Sequence, residues 1–141
     1  MKSLIAGVKD GRSCILSEIQ IEDRDVNREG PSSRTDVYSV KETPPPARPP
    51  TKAAFHDTGL EPGHLDLCVL QMPAGVEHPM HYTDTLNFHT IVAGSVDIVL
   101  DDGPHRLEVG DSLVMPGIDH GWKAGPSGCT QTIMNLGSAR P

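Results

Sequence analysis

Short apolar runs separated by turn residues, rather than long helical periods, organise this chain. Leu4 to Val8 and Ser13 to Ile19 flank Asp10-Gly11, a strong hairpin signal, and predict a first β-hairpin. The polar, mixed-sign segment from Ile21 to Glu29 reads as a solvated loop, and Val37 to Val40 as one more short strand. Thr43 to Pro50 is too rich in proline to donate a sheet ladder and reads as an extended surface connector. Leu65 to Met72 alternates as a strand, with Leu65, Leu67 and Val69 on one face and Asp66, Cys68 and Leu70 on the other. Its mixed character predicts partial cover on both faces. Phe88 to Gly103 reads as two short strands around Gly94, and His105 to Val109, Ser112 to Met115 and Cys129 to Leu136 follow as further strands. No window carries a 3.6-residue period free of glycine and proline, so the expectation is an all-β sandwich or barrel.

Composition narrows the function classes. At 141 residues the chain has the size of one domain, and its net charge of −7, with no local cluster of lysine and arginine, argues against a nucleic-acid partner. The apolar run at Leu4 to Val8 is far too short for a membrane span or signal-peptide core, so the expected location is cytoplasmic, with no membrane partner. Cys14, Cys68 and Cys129 form no CxxC pair and read as buried free thiols rather than a disulfide or zinc framework.

Histidine supplies the chemistry. His78, His81 and His89 crowd the stretch from Gly75 to Gly94, and His120 follows a second glycine-strand-turn unit starting at Gly110. His78 beside Pro79, His105 at a strand start, and His56 and His64 in the connector read as surface residues, unless a loop crossing the barrel mouth carries His56 inward.

Between Gly75 and Gly94 the chain sets five residues, His81, Tyr82, Thr83, three residues, Asn87 and six residues, which are the intervals of the first cupin motif. Gly110, five residues and Pro116 fit the second motif, with Gly117 and His120 each one residue early. The chain therefore resembles the cupin superfamily, and HYTDTLNF from His81 to Phe88 is similar to the HRTDSxDY motif of stand-alone cupins found with secondary-metabolite pathways. The resemblance implies a cupin jelly-roll β-barrel with an N-terminal β-hairpin extension, in one domain over residues 1–141. N-terminal strands occupy 1–42, a Pro/Gly-rich connector 43–63 and the barrel core 64–137. A homodimer is the expected assembly.

Cupins hold one divalent metal (Zn, Fe, Mn or Ni) with three histidines and a glutamate. By position this chain keeps His81 and His120 but has Thr83 and Asn87 for the other two ligands. His89 lies two residues beyond Asn87 on the same strand face, so a rearranged site of His81, His89 and His120 is one alternative. The leading expectation is an enzyme working without a metal on a small-molecule substrate, by dehydration, isomerisation or cyclisation. In it His81, His89, His120 and Asn87 are catalytic, with Asn87 holding a substrate carbonyl oxygen, and Thr83, Tyr82 and Trp122 bind substrate. The remaining alternatives are a metal-dependent oxygenase or lyase and a ligand-binding cupin without chemistry.

Overall fold

A computed structural model describes residues 1–22 and 30–141, so most of the solvated loop expected at Ile21 to Glu29 lies outside the described residues. Nine strands and no helix are found among them: β1 (Lys2–Lys9), β2 (Arg12–Gln20), β3 (Ala54–Phe55), β4 (Leu65–Met72), β5 (Glu77–Tyr82), β6 (Thr85–Leu100), β7 (Gly103–Glu108), β8 (Ser112–Met115) and β9 (His120–Gly137). With no helix, none of the described residues forms one long and apolar enough to cross a membrane.

Two long strands, β6 and β9, run antiparallel and hold the rest together. The first half of β6 pairs with β8 and with the end of β9, and β8 in turn carries the β1–β2 hairpin while β4 closes on β9. The second half of β6 pairs with β7 and with the start of β9, which carries β5 and then β3. Each long strand therefore belongs to two sheets and bends between them, the arrangement of a double-sheet jelly roll.

The bend is local chemistry. Register shifts flank Gly94, where φ is +69°, and Gly128 facing it has φ +77°. A Cβ built on Gly94 would lie 2.0 Å from the Gly128 carbonyl oxygen, so only glycine lets the two backbones pass this closely. One core cluster then draws on both sheets, with Leu4, Leu113 and Met115 from one and Val96, Ile98 and Leu107 from the other. Burying each such side chain is worth ~1.5–3 kcal/mol, which offsets the entropy of ordering many short strands.

The expected hairpin at the N-terminus forms around Asp10-Gly11 and is latched to the β6–β7 turn. The Asp101 carboxylate accepts from the Ser13 amide at 2.8 Å, and the Ser13 hydroxyl accepts from the Asp101 amide at 2.8 Å.

Five expectations are corrected. The two strands read around Gly94 are one strand of 16 residues, because glycine bends the ladder without ending it. The last strand begins at His120 rather than Cys129. Val37 to Val40 is not a strand; Tyr38 instead packs edge-on against Phe88, with ring centroids 6.0 Å apart. The outward face of β4 is uncovered, with Leu65, Leu67 and Val69 exposed, because β4 lies at the edge of its sheet. Of the three cysteines only Cys129 is buried.

Candidate functional site

β5 and the start of β9 pair in a register that sets His81 opposite His120, and the bulge between His78 and His81 turns both β5 histidines toward one cavity. His81 and His120 lie with ring centroids 4.2 Å apart. Asn87 and His89, two residues apart on β6, reach the same cavity from the facing sheet. Trp122 stands between, its ring 5.0 Å from that of His89 and 5.9 Å from that of His120. The cavity is about 590 Å³ in volume, and Phe55, Leu70, Met80 and Ile133 supply much of its apolar wall.

Each of these three imidazoles is tied at Nδ1. The His81 Nδ1 lies 2.9 Å from the Pro79 carbonyl oxygen, the His120 Nδ1 2.8 Å from that of Ile118, and the His89 Nδ1 3.0 Å from Gln131 Oε1. An oxygen of that kind can only accept, so Nδ1 carries the proton and Nε2 is left as a lone pair in the neutral ring.

Burial keeps these rings neutral. It lowers the His89 pKa to about 4 against the opposing pull of the Gln131 hydrogen bond. His120 falls to about 3, first through burial and then through the nearby His81. His81, only half-buried, is lowered by the same desolvation, partly countered by its bond to Pro79.

Two further atoms define the floor. Asn87 Oδ1 and His89 Nε2 are fully buried, line the cavity or its wall, and have no hydrogen-bond partner among the described residues. Asn87 also carries the Nδ2 donor, the group that the expected contact with a substrate carbonyl oxygen would use. Thr83 is buried and shares its hydroxyl with Thr85 at 2.9 Å.

Tyr82 is the expected site residue that stays out of the cavity. Its ring packs against Phe55 at 5.2 Å and under the Arg48 guanidinium at 4.3 Å, because strand alternation turns it away from the face that His81 occupies. Arg48 in turn pairs with Asp84 at 2.6 Å.

Other residues join the site that sequence reasoning did not place there. The segment at 52–56 crosses the mouth as a strap: the Asp119 carboxylate accepts from the Lys52 and Ala53 amides at 2.7 and 3.1 Å, and the His56 amide donates to the Tyr82 carbonyl at 2.8 Å. That carries the His56 ring to 5.6 Å from His81 by the crossing-loop alternative, while His56 stays exposed as expected. His78 also lines the cavity, as does the exposed Cys68. Gln131, fully buried behind His89, had no motif to announce it.

A resident transition metal, the group this kind of fold implies, is not matched by these side chains. Among the described residues no three His, Cys, Asp or Glu side chains converge as a ligand group. The facing His81 and His120 are joined at the cavity by a threonine and an asparagine, which replace neither an imidazole nor a carboxylate for such an ion.

No protein-family model matches the chain. Over 63 residues it is 35% identical to two proteins of Diaporthe leptostromiformis, phomopsin biosynthesis cluster proteins C' and D; the match covers 44% of this chain and 33% of theirs. Similar solved structures include an RmlC-like cupin from Shewanella frigidimarina (25% identity, TM-score 0.47, 54% of this chain and 68% of that one). The cupin domain of Schizosaccharomyces pombe Cnp3 (17%, TM-score 0.48, 52% and 53%) is another. A third is the DMSP lyase DddQ of Ruegeria pomeroyi (24%, TM-score 0.47, 52% and 38%). The chain's own strand pairing, with His81, Asn87 and His120 lining one cavity at the two motif positions, makes it a small all-β protein of the cupin fold.

Proposed function

We propose that the chain is a small-molecule enzyme that moves protons with its cavity imidazoles, dehydrating, isomerising or cyclising a carbonyl-bearing metabolite. The observation that carries this reading is the facing pair His81 and His120, each held by a backbone carbonyl at Nδ1 so that Nε2 is available as a lone pair. The match to proteins named for a phomopsin biosynthesis cluster supports a biosynthetic substrate.

His81 is the better base of the pair, because an imidazolium at a half-buried position keeps more of its hydration than one at His120. In a dehydration its Nε2 takes the proton from the carbon next to the carbonyl. The C–H electron pair becomes the new double bond as the β-carbon–oxygen bond breaks. The departing hydroxide then recovers that proton from the imidazolium and leaves as water. His120 stays neutral beside it, since two cations at that separation would repel, and its Nε2 orients the substrate hydroxyl.

The test is turnover of a panel of β-hydroxy carbonyl compounds, followed by mass spectrometry for loss of water. His81→Gln, His89→Gln and His120→Gln should each slow it by about 10²-fold or more while the folded spectrum is kept. Native rates in the His81 and His120 variants would sink the proposal.

A second reading is ligand binding without turnover. It is favoured by the low basicity of His89 and His120, whose pKa values of about 4 and 3 make them weak proton acceptors. Saturable binding with no product across the panel decides for it.

A further inference from the structure

Among the described residues four strands lie at sheet edges, β2 and β4 on one sheet and β3 and β7 on the other. Three of these edges are blunted. β2 carries a bulge at Leu16, and its Ser13 and Ile15 amides donate to the Asp101 and Asp102 carboxylates. β7 holds Pro104, Arg106 and Glu108, and β3 is two residues long. β4 has none of these devices. Over eight residues it contains no proline, lysine or arginine, its ladder with β9 runs without a register shift, and no described strand pairs with its other edge.

The same strand carries an exposed apolar stripe. Leu65, Leu67 and Val69 stand outward at 60, 70 and 62% exposure, beside Met134, which faces Leu67 from β9. Asp66, the single charge of β4, lies on the opposite face. In a chain of net charge −7, this edge is therefore a place where two copies can meet without like charges opposed.

Unpaired N–H and C=O groups along an edge are completed by another strand. An identical strand running antiparallel about a two-fold axis completes them isologously and closes at two copies, whereas the other edges of this chain would meet β4 with a blunted strand. Pleating limits the register, because facing residues must share a sheet face and so must both be odd-numbered or both even-numbered. Centring the pair on Cys68 overlaps residues 65–71, sets Leu67 of one copy against Val69 of the other, and places each Asp66 against a Leu70. Centring it on Val69 would set Leu67 against Gln71 instead.

We propose that two copies of the chain join β4 to β4, antiparallel and with Cys68 at the two-fold axis, into one sheet that runs through both molecules. The second copy also bears on the site. Cys68 and Leu70 line the cavity from the inner face of β4, so the wall they form continues onto the partner strand. This pairing stands whether or not the cavity turns over a substrate.

Light scattering at micromolar concentration should give the mass of two chains. Leu67→Lys combined with Val69→Lys sets lysines opposite one another across the ladder and should weaken self-association by about 100-fold. Val109→Lys, at a comparably exposed position in the turn after β7, should leave it unchanged. With the strand unaltered, a short bismaleimide should link Cys68 to Cys68 in a Cys14→Ser background, since facing Cβ atoms lie about 5 Å apart and Cys129 is buried. Cys68→Ser should abolish the link.

The mass of one chain for the native protein overturns the proposal, and so does a dimer that survives the paired lysines. A dimer that forms no Cys68 link overturns it as well, because another surface then holds the copies together. Loss of the dimer in the lysine variant, with the link formed in the unaltered strand, supports it even if the variant folds poorly.

Discussion

Acidification tests the site most directly, because two of its histidines are buried in the neutral form. Their native pKa values, about 4 for His89 and about 3 for His120, lie below the value of 6.5 they take when unfolded. Between those limits the unfolded chain binds more protons than the folded one, so stability rises with pH through this window. The stability due to neutral burial is thus fully present above about pH 6.5 and is lost as pH falls toward 4 and then 3. Taken from pH 7 to pH 4.5, each ring should cost between about 2 and 3 kcal/mol, or about 5 kcal/mol together. That is a large part of the stability of a typical domain. Urea unfolding of the native chain and of His89→Gln at the two pH values separates this from carboxylate protonation, which both chains share. The variant should lose about 2–3 kcal/mol less than the native chain on acidification. An equal loss in the two would mean that the His89 ring is not held neutral by burial, and the account of the cavity floor would fail with it.

Two other perturbations bear on how the site is held. Gly94→Ala must place a Cβ against the Gly128 carbonyl at a positive φ, so it should cost at least about 2 kcal/mol and lower the midpoint of thermal unfolding by on the order of 6 °C. An unchanged midpoint would show that the bend is not set there. Asp119→Asn leaves one carbonyl oxygen to accept from two amides, so exchange of the Lys52 and Ala53 N–H groups should speed by about ten-fold while core amides such as Ile98 stay protected. Uniform acceleration across the chain would point to global destabilisation instead of a loosened strap.

What the linear chain determined is what nearest neighbours can decide. Turn chemistry at Asp10-Gly11, with alternation in the short apolar runs, is enough to specify strands and exclude helices, since both depend on backbone preference within a few residues. The two glycine-histidine spacings likewise marked His81, Asn87 and His120, which the fold brings to one cavity.

Tertiary structure decided the rest. Whether Gly94 ends a strand or bends one depends on the approach of Gly128, and whether β4 is covered depends on which strand lies at a sheet edge. The placement of His56 beside His81 rests on Asp119, more than sixty residues away in sequence, binding the strap. The Gln131 partner of His89 and the committed donors of the cavity are of the same kind, for a hydrogen bond between strands is set by register, and register is a property of the whole sheet.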